Sequence, residues 1–176
     1  MNIRKATTAD IPAIHTLIND YAGEGLMLRR PLMLLYEAVR DFVVAESNSG
    51  EVVGTGALHV MWSDLAEVRS LAVAPTTKGK GIGCAIVEYL LQEAAELGLK
   101  RVFALTYQQG FFERCGFKVV QKASLPQKVW KECIYCDKFN SCDEIAMIRY
   151  LVPEAEYEAE EEPDIPVIDI PLWVVK

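Results

Sequence analysis

The stretch Lys78-Gly79-Lys80-Gly81-Ile82-Gly83 has the residue types and spacing that best suit chemistry. Phosphates bind where several backbone N–H groups converge at the start of a helix, with the helix dipole behind them. Glycines are needed there because side chains block close approach and because such a loop visits positive φ. Gly79, Gly81 and Gly83 offer that backbone, and Lys78 and Lys80 add positive charge. A Walker A loop needs a glycine, four residues and then Gly-Lys-Ser/Thr, and this stretch lacks that order. A dinucleotide loop would place its third glycine at Cys84 or Ile86, and fails as well. Alone, the stretch is either a phosphate cradle or a plain glycine-rich turn.

Cysteine is the other reactive residue type. Cys84, Cys115, Cys133, Cys136 and Cys142 are odd in number, and Met1-Asn2-Ile3-Arg4-Lys5 is no apolar signal core, so a disulfide framework is not expected. Cys133-x-x-Cys136 with Cys142 offers three thiols and no neighbouring histidine, whereas zinc wants four ligands. Free thiols and no metal are expected, with a zinc site or a local disulfide as the remaining readings.

These groups need elements to hold them. Residues 2–6 read as a strand, and Thr7-Thr8-Ala9-Asp10 as a helix start followed by Ile11, Ile14, Leu17, Ile18 and Tyr21 at helical spacing. Gly23 and Gly25 close that helix, and Arg29-Arg30-Pro31 introduces a second carrying Leu34, Leu35 and Val39. Phe42–Ala45 and Val52–Met61 form a hairpin about Asn48-Ser49-Gly50, and Glu67–Ala74 is the next strand. After the glycine loop, Ile82, Ile86, Leu90, Ala94 and Leu97 mark one face of a long helix that Gly98 ends. A strand at Val102–Tyr107, a short helix at Gln109–Cys115 and strands at Phe117–Val120 and Ile145–Leu151 complete the order. Residues 125–142 read as irregular. The fold class is mixed α/β, an antiparallel hairpin half leading into a strand–helix–strand unit.

A chain of 176 residues, 51% hydrophobic and 24% charged, suits one soluble domain. The net charge of −7 belongs to the end of the chain: eight acidic residues and Lys176 lie from Glu154 onward, which leaves seventeen charges of each sign before it. A neutral body carries no electrostatic footprint for nucleic acid, and no apolar run spans a bilayer, so a cytoplasmic enzyme is expected. Residues 1–152 read as the domain and 153–176 as a tail. In that tail, apolar Ile165–Val175 is expected to dock on the domain or on a second subunit, as in a homodimer.

The segment Val68–Pro75 followed by Lys78–Gly83 resembles the acetyl-CoA motif of the GNAT acetyltransferase superfamily, Gln/Arg-x-x-Gly-x-Gly/Ala, with Lys78 at the usual Gln or Arg. Phe111-Phe112-Glu113-Arg114-Cys115-Gly116-Phe117 resembles the late aromatic-aromatic-Glu-x-x-Gly-Phe motif of that superfamily. The resemblance implies a GNAT fold, a mostly antiparallel splayed sheet flanked by helices, with acetyl-CoA as co-substrate. It implies that Leu71, Ala72 and Val73 meet the pantetheine arm, that Lys78, Gly79, Lys80, Gly81, Ile82, Gly83 and Cys84 hold the pyrophosphate, and that Phe112 borders the cofactor. Glu67 is then the candidate base, directly or through water. His59 on the neighbouring strand is a weaker candidate, and His15 is discounted. Phe112 stands where many members carry a tyrosine that reprotonates the thiolate, so Tyr107 or water takes that part, or none is needed.

Several stretches are similar to the short, single-domain N-acetylglutamate synthases: Ala66–Val73, Phe111–Arg114, Leu125-Pro126-x-Lys128-Val129-Trp130, Glu132-Cys133-x-x-Cys136 and Cys142–Met147. That resemblance makes Arg30, Arg69 and Lys128 candidates for holding the carboxylates of glutamate, since guanidinium forks suit carboxylates. No arginine feedback through an amino-acid-kinase domain is expected. A different amine, or acetyl-CoA sensing without turnover, are the other functions compatible with these motifs.

Overall fold

A computed structural model describes residues 1–125 and 141–154. In chain order these form β1 (Asn2–Lys5), a 3-10 turn at Thr8–Asp10, α1 (Ile11–Gly23), α2 (Leu32–Glu37), β2 (Phe42–Glu46), β3 (Val52–Val60) and β4 (Leu65–Val73). Then come α3 (Ile82–Glu96), β5 (Arg101–Thr106), α4 (Gln109–Arg114), β6 (Lys118–Val119) and β7 (Ile145–Tyr150). The strands make one sheet in the order β1-β2-β3-β4-β5-β7-β6. Every neighbouring pair is antiparallel except β4 with β5.

The sheet is the middle layer because its strands are apolar on both faces. In β2, Phe42 and Val44 join Ile11, Ile14 and Ile18 of α1 on one side, while Val43 and Ala45 join the core under α3 on the other. The α3 stripe Ile82, Ile86, Leu90 and Ala94 is buried as its spacing predicts. Each of its large side chains contributes about 1.5–3 kcal/mol by leaving water. Leu97 does not extend that stripe: α3 stops at Glu96, Gly98 turns at φ 77°, and Leu97 is 58% exposed. On α2, Leu35 is buried and Leu34 faces solvent.

Two glycines let α3 lie close to the sheet. A Cβ on Gly56 would stand 2.8 Å from an Ile86 methyl, and one on Gly54 would stand 3.0 Å from another. Larger residues at either position would lift the helix and the loop that precedes it.

β4 starts two residues earlier than its sequence suggests. Asp64 sets that start and is almost fully buried: its carboxylate accepts from Arg101 Nε at 3.0 Å, and its carbonyl accepts the Lys100 and Arg101 N–H groups. Leu65, Ala66 and Glu67 then pair with Arg101, Val102 and Phe103. Glu67 is therefore the third residue of the strand, not its first. Among the described residues no helix is long and apolar enough to cross a membrane. At the end of the described chain, Glu154 pairs with Lys118; the expected docking of Ile165–Val175 lies outside the described residues.

Asp10 ties β1 to the start of α1. Its carboxylate accepts from both terminal Arg4 guanidinium nitrogens at 2.8 and 2.9 Å, and also from the Thr7 N–H and hydroxyl. The Arg4 hydrogen bond, followed by those from Thr7, holds the Asp10 carboxyl well below the usual carboxylate range against the cost of burial. A depressed carboxyl stabilises the fold above its unfolded value and loses that contribution as pH falls toward its folded one. Asp10→Asn should therefore lower stability by about 2 kcal/mol at neutral pH. Urea denaturation should show the variant and the parent converging as pH drops below about 4.

Candidate active site

The site begins where β4 and β5 part. Their pairing ends at Glu67 and Phe103, so among the described residues Val68–Val73 has no strand on its β5 side. A cavity of about 660 Å³ opens there. β4 supplies one wall, the loop after it and the start of α3 the floor, Leu105–Gln108 the opposite wall, and Tyr21 with Leu26–Leu28 and Arg30 the roof.

A bulge in β4 aims its backbone. One residue, Gly56, lies between Thr55 and Ala57 of β3, while Ser70 and Leu71 lie between their partners Ala72 and Arg69. Ser70 absorbs the extra length at φ 54°, in the left-handed region. Before the bulge Ala66 and Val68 face α3; after it Leu71 and Val73 do. The Ala74 N–H bonds to the Val53 carbonyl at 2.8 Å, so the N–H and C=O of Val73 turn away from β3 toward the cleft. The Val73 carbonyl accepts the Tyr21 hydroxyl at 2.7 Å. That bond ties α1 to β4 and keeps the adjacent amide facing the cavity.

The glycine loop forms a helix start with open donors. Gly81 is the residue before α3, at φ 78°, and its carbonyl accepts the Ala85 N–H at 3.0 Å. The N–H groups of Gly81–Cys84 precede that first helical bond and have no partner within the helix. Gly79 also has positive φ, at 79°. Gly83 is needed for a different reason: a Cβ there would sit 3.0 Å from the Phe111 ring. Lys78 Nζ lies 4.7 Å above the Tyr21 ring, and Tyr21 holds the Lys78 ammonium above its ordinary value. Open amides at a helix start, beside a lysine, suit a pyrophosphate, and a strand edge without a partner suits an amide-bearing arm.

Most residues singled out in the sequence meet around this cavity. Leu71, Ala72, Val73, Lys78, Gly79, Gly81, Ile82, Gly83, Cys84 and Phe112 line it, as do Glu67, Tyr107, Arg30 and Arg69. Lys80 does not; it is exposed outside the wall. Lys128, Cys133 and Cys136 lie outside the described residues. Phe112 is buried, edge-on to Phe111 and Phe117 with centroids 5.1 and 5.2 Å away. The Tyr107 hydroxyl donates to Asp143 at 2.8 Å. His59 lies directly across from Glu67 in the β3–β4 register, with Nδ1 2.9 Å from Asp41, but outside the cavity lining. Asp41 also stands 3.9 Å from the Arg69 guanidinium. Among the described residues no group of three His, Cys, Asp or Glu side chains could hold a metal ion.

Sequence reading missed three supports. Asn19 grips the backbone of Arg30 both ways, its amide nitrogen donating to the carbonyl at 3.0 Å and its oxygen accepting the N–H at 3.1 Å. The Tyr21–Val73 bond and the Ser70 bulge are the others. None has a local pattern that marks it, whereas Gly54 and Gly56 inside a strand could have signalled a close approach.

Residues 11–117, more than half of the chain, match the Acetyltransferase (GNAT) family. The chain belongs to that family. It is an acetyltransferase with acetyl-CoA as its acetyl donor, and its seven-stranded sheet flanked by helices is the GNAT fold. An amino-acid acetyltransferase of Mycobacterium tuberculosis is 49% identical over 132 residues, covering 74% of this chain and 75% of its own length. The crystal structure of Rv2747 from Mycobacterium tuberculosis, in complex with CoA and NLQ, is 41% identical at a TM-score of 0.76 and covers 86% of this chain and 100% of that one. An N-acetylglutamate synthase from Neisseria gonorrhoeae, complexed with coenzyme A and N-acetyl-glutamate, is 27% identical at a TM-score of 0.78, covering 86% of this chain but 35% of its own.

The left-handed start of α3 is directly testable. Gly81→Ala places a side chain at φ 78° and should cost about 1–2 kcal/mol in urea denaturation. Calorimetry should show weaker coenzyme A binding in the same variant, because the helix start it distorts carries the open amides.

Proposed function

We propose that this acetyltransferase moves the acetyl group of acetyl-CoA to the α-amine of L-glutamate, the reaction of an N-acetylglutamate synthase that opens arginine biosynthesis. The observation that carries this reading is the meeting of Glu67, Arg69 and Arg30 in one cavity beside the edge of β4 that parts from β5. A carboxylate and two guanidinium groups there complement an acceptor with one ammonium and two carboxylates. The name of the mycobacterial relative supports an amino-acid acceptor, and the N-acetyl-glutamate in the gonococcal structure supports glutamate.

In this mechanism Glu67 takes a proton from the glutamate ammonium, directly or through water. The freed amine attacks the thioester carbonyl in a ternary complex, with no acetyl-enzyme between. The oxygen gains charge as the carbonyl becomes tetrahedral, and the Val73 N–H, turned into the cleft, is the donor placed for it. The carbon–sulfur bond then breaks and the thiolate leaves, a fair leaving group near neutral pH. As the amide forms, its nitrogen gives up a second proton, which Tyr107 or water relays to the thiolate; Phe112 has no proton to give. Arg30 and Arg69 hold the acceptor carboxylates, with Lys128 as a third candidate by resemblance alone.

One observation favours a neighbouring acceptor as the alternative. Leu26, Met27, Leu28 and Met61 share the cavity wall with the arginines, which suits an amino acid whose side chain is uncharged. Thiol release from acetyl-CoA should be followed with glutamate, glutamine, aspartate, methionine and a polyamine as acceptors. The largest kcat/KM is expected with glutamate. Turnover confined to another amino acid would replace glutamate, and coenzyme binding without turnover would leave only a sensor. Glu67→Gln should reduce kcat about 100-fold while coenzyme A affinity stays within about twofold. Arg30→Gln should raise the KM for glutamate roughly tenfold or more, the loss of one charge-assisted hydrogen bond.

A further inference from the structure

Two thiols with no part in the transfer touch each other behind the coenzyme-facing turn. Cys84 Sγ and Cys115 Sγ are 3.1 Å apart, and both are free. Cys84 is the third residue of α3 and lines the cavity; Cys115 follows the last residue of α4. A disulfide needs its sulfurs at about 2.05 Å, so bond formation asks for a closure of only about 1 Å.

We propose that Cys84 and Cys115 are a thiol-oxidation site, joined reversibly by exchange with a small-molecule disulfide. Cys84, half-buried and on the cavity wall, gives up its proton and attacks one sulfur of the small disulfide. The sulfur–sulfur bond breaks, and one small thiolate leaves and is protonated. Cys115 then loses its proton and attacks Cys84 Sγ, expelling the second small thiolate. Two protein thiols lose two electrons and two protons; the small disulfide takes them up as two thiols.

The two cysteines are unequal in a way that sets this order. Cys115 is 8% exposed, and burial, with the Cys84 contact second, pushes its thiol up to about 12. It is shielded from a reagent in solution, and among the described residues it meets one sulfur, that of Cys84. Its backbone is held: Arg149 donates to the Cys115 carbonyl at 2.8 Å, and the Cys115 N–H reaches the Phe112 carbonyl at 3.0 Å. The closure therefore falls on Cys84 and the first turn of α3. That turn presents the open amides, so the crosslink should weaken coenzyme A binding; this consequence rests on the phosphate-cradle reading of the loop, and the crosslink itself does not.

The test uses the full chain incubated with oxidised glutathione, followed by alkylation of remaining thiols, digestion and mass spectrometry. A Cys84–Cys115 linked peptide, two hydrogens lighter than the separate thiols and released by dithiothreitol, is expected. Cys115→Ala should stop at a glutathione adduct on Cys84, and Cys84→Ala should leave Cys115 unmodified. Complete alkylation of both cysteines, or linkage of either to a different cysteine, overturns the proposal. Calorimetry with coenzyme A should show affinity reduced roughly fivefold or more in the linked form and restored on reduction. Unchanged affinity alongside a confirmed linked peptide overturns the cradle reading and leaves the oxidation site standing.

Discussion

A parallel strand pair that stops after three residues leaves the next residues of both strands with backbone N–H and C=O groups facing a gap. Buried backbone groups without partners are costly, so such a gap persists only when something else can satisfy them. Here the gap follows Glu67, and Val68–Val73 faces it with its donors and acceptors. The Tyr21 hydroxyl answers one of these groups, the Val73 carbonyl. An extended, amide-bearing molecule laid along the strand can answer others. The pantetheine arm of acetyl-CoA is such a molecule, and the rest of the site is arranged around the edge it would occupy.

The other parts follow from keeping that edge open and aimed. The Ser70 bulge reverses which residues face α3, so Leu71 and Val73 anchor in the core while the backbone turns toward the gap. Gly54 and Gly56 admit Ile86 and let α3 settle on the sheet, which fixes where its first turn presents free amides. Gly83 admits the Phe111 ring, linking that turn to α4. Asn19 and Tyr21 brace the two sides of the site, one holding Arg30 and the other Val73. A single helix, α1, therefore supports both the residue proposed to grip the acceptor and the strand proposed to carry the donor.

Much of this was legible in the residues. The periodicity of Ile82, Ile86, Leu90 and Ala94 marks α3, and the glycines before it mark a tight, left-handed approach to a helix, because both signals are local. Element order followed from the same patterns, with ends misplaced where a tertiary contact decides them. Leu97 carries the α3 spacing but falls beyond the Gly98 turn, and the start of β4 depends on Asp64, a polar residue buried by its pairing with Arg101. The bulge at Ser70 was not legible, since serine is no marker of positive φ and the extra residue exists only relative to β3. Charge alone does not mark such contacts: Lys78 and Lys80 are both exposed, and the packing of Lys78 over Tyr21 has no local pattern.

Acetyl-CoA is proposed to lie along the β4 edge and the start of α3. Amide hydrogen exchange of the chain with and without coenzyme A tests it most directly, because it reads the backbone groups at issue. Coenzyme A should slow exchange in peptides covering Val68–Val73 and Gly79–Cys84, while β1 and β2 change little. Coenzyme A binding with exchange in those two segments unaltered would contradict it.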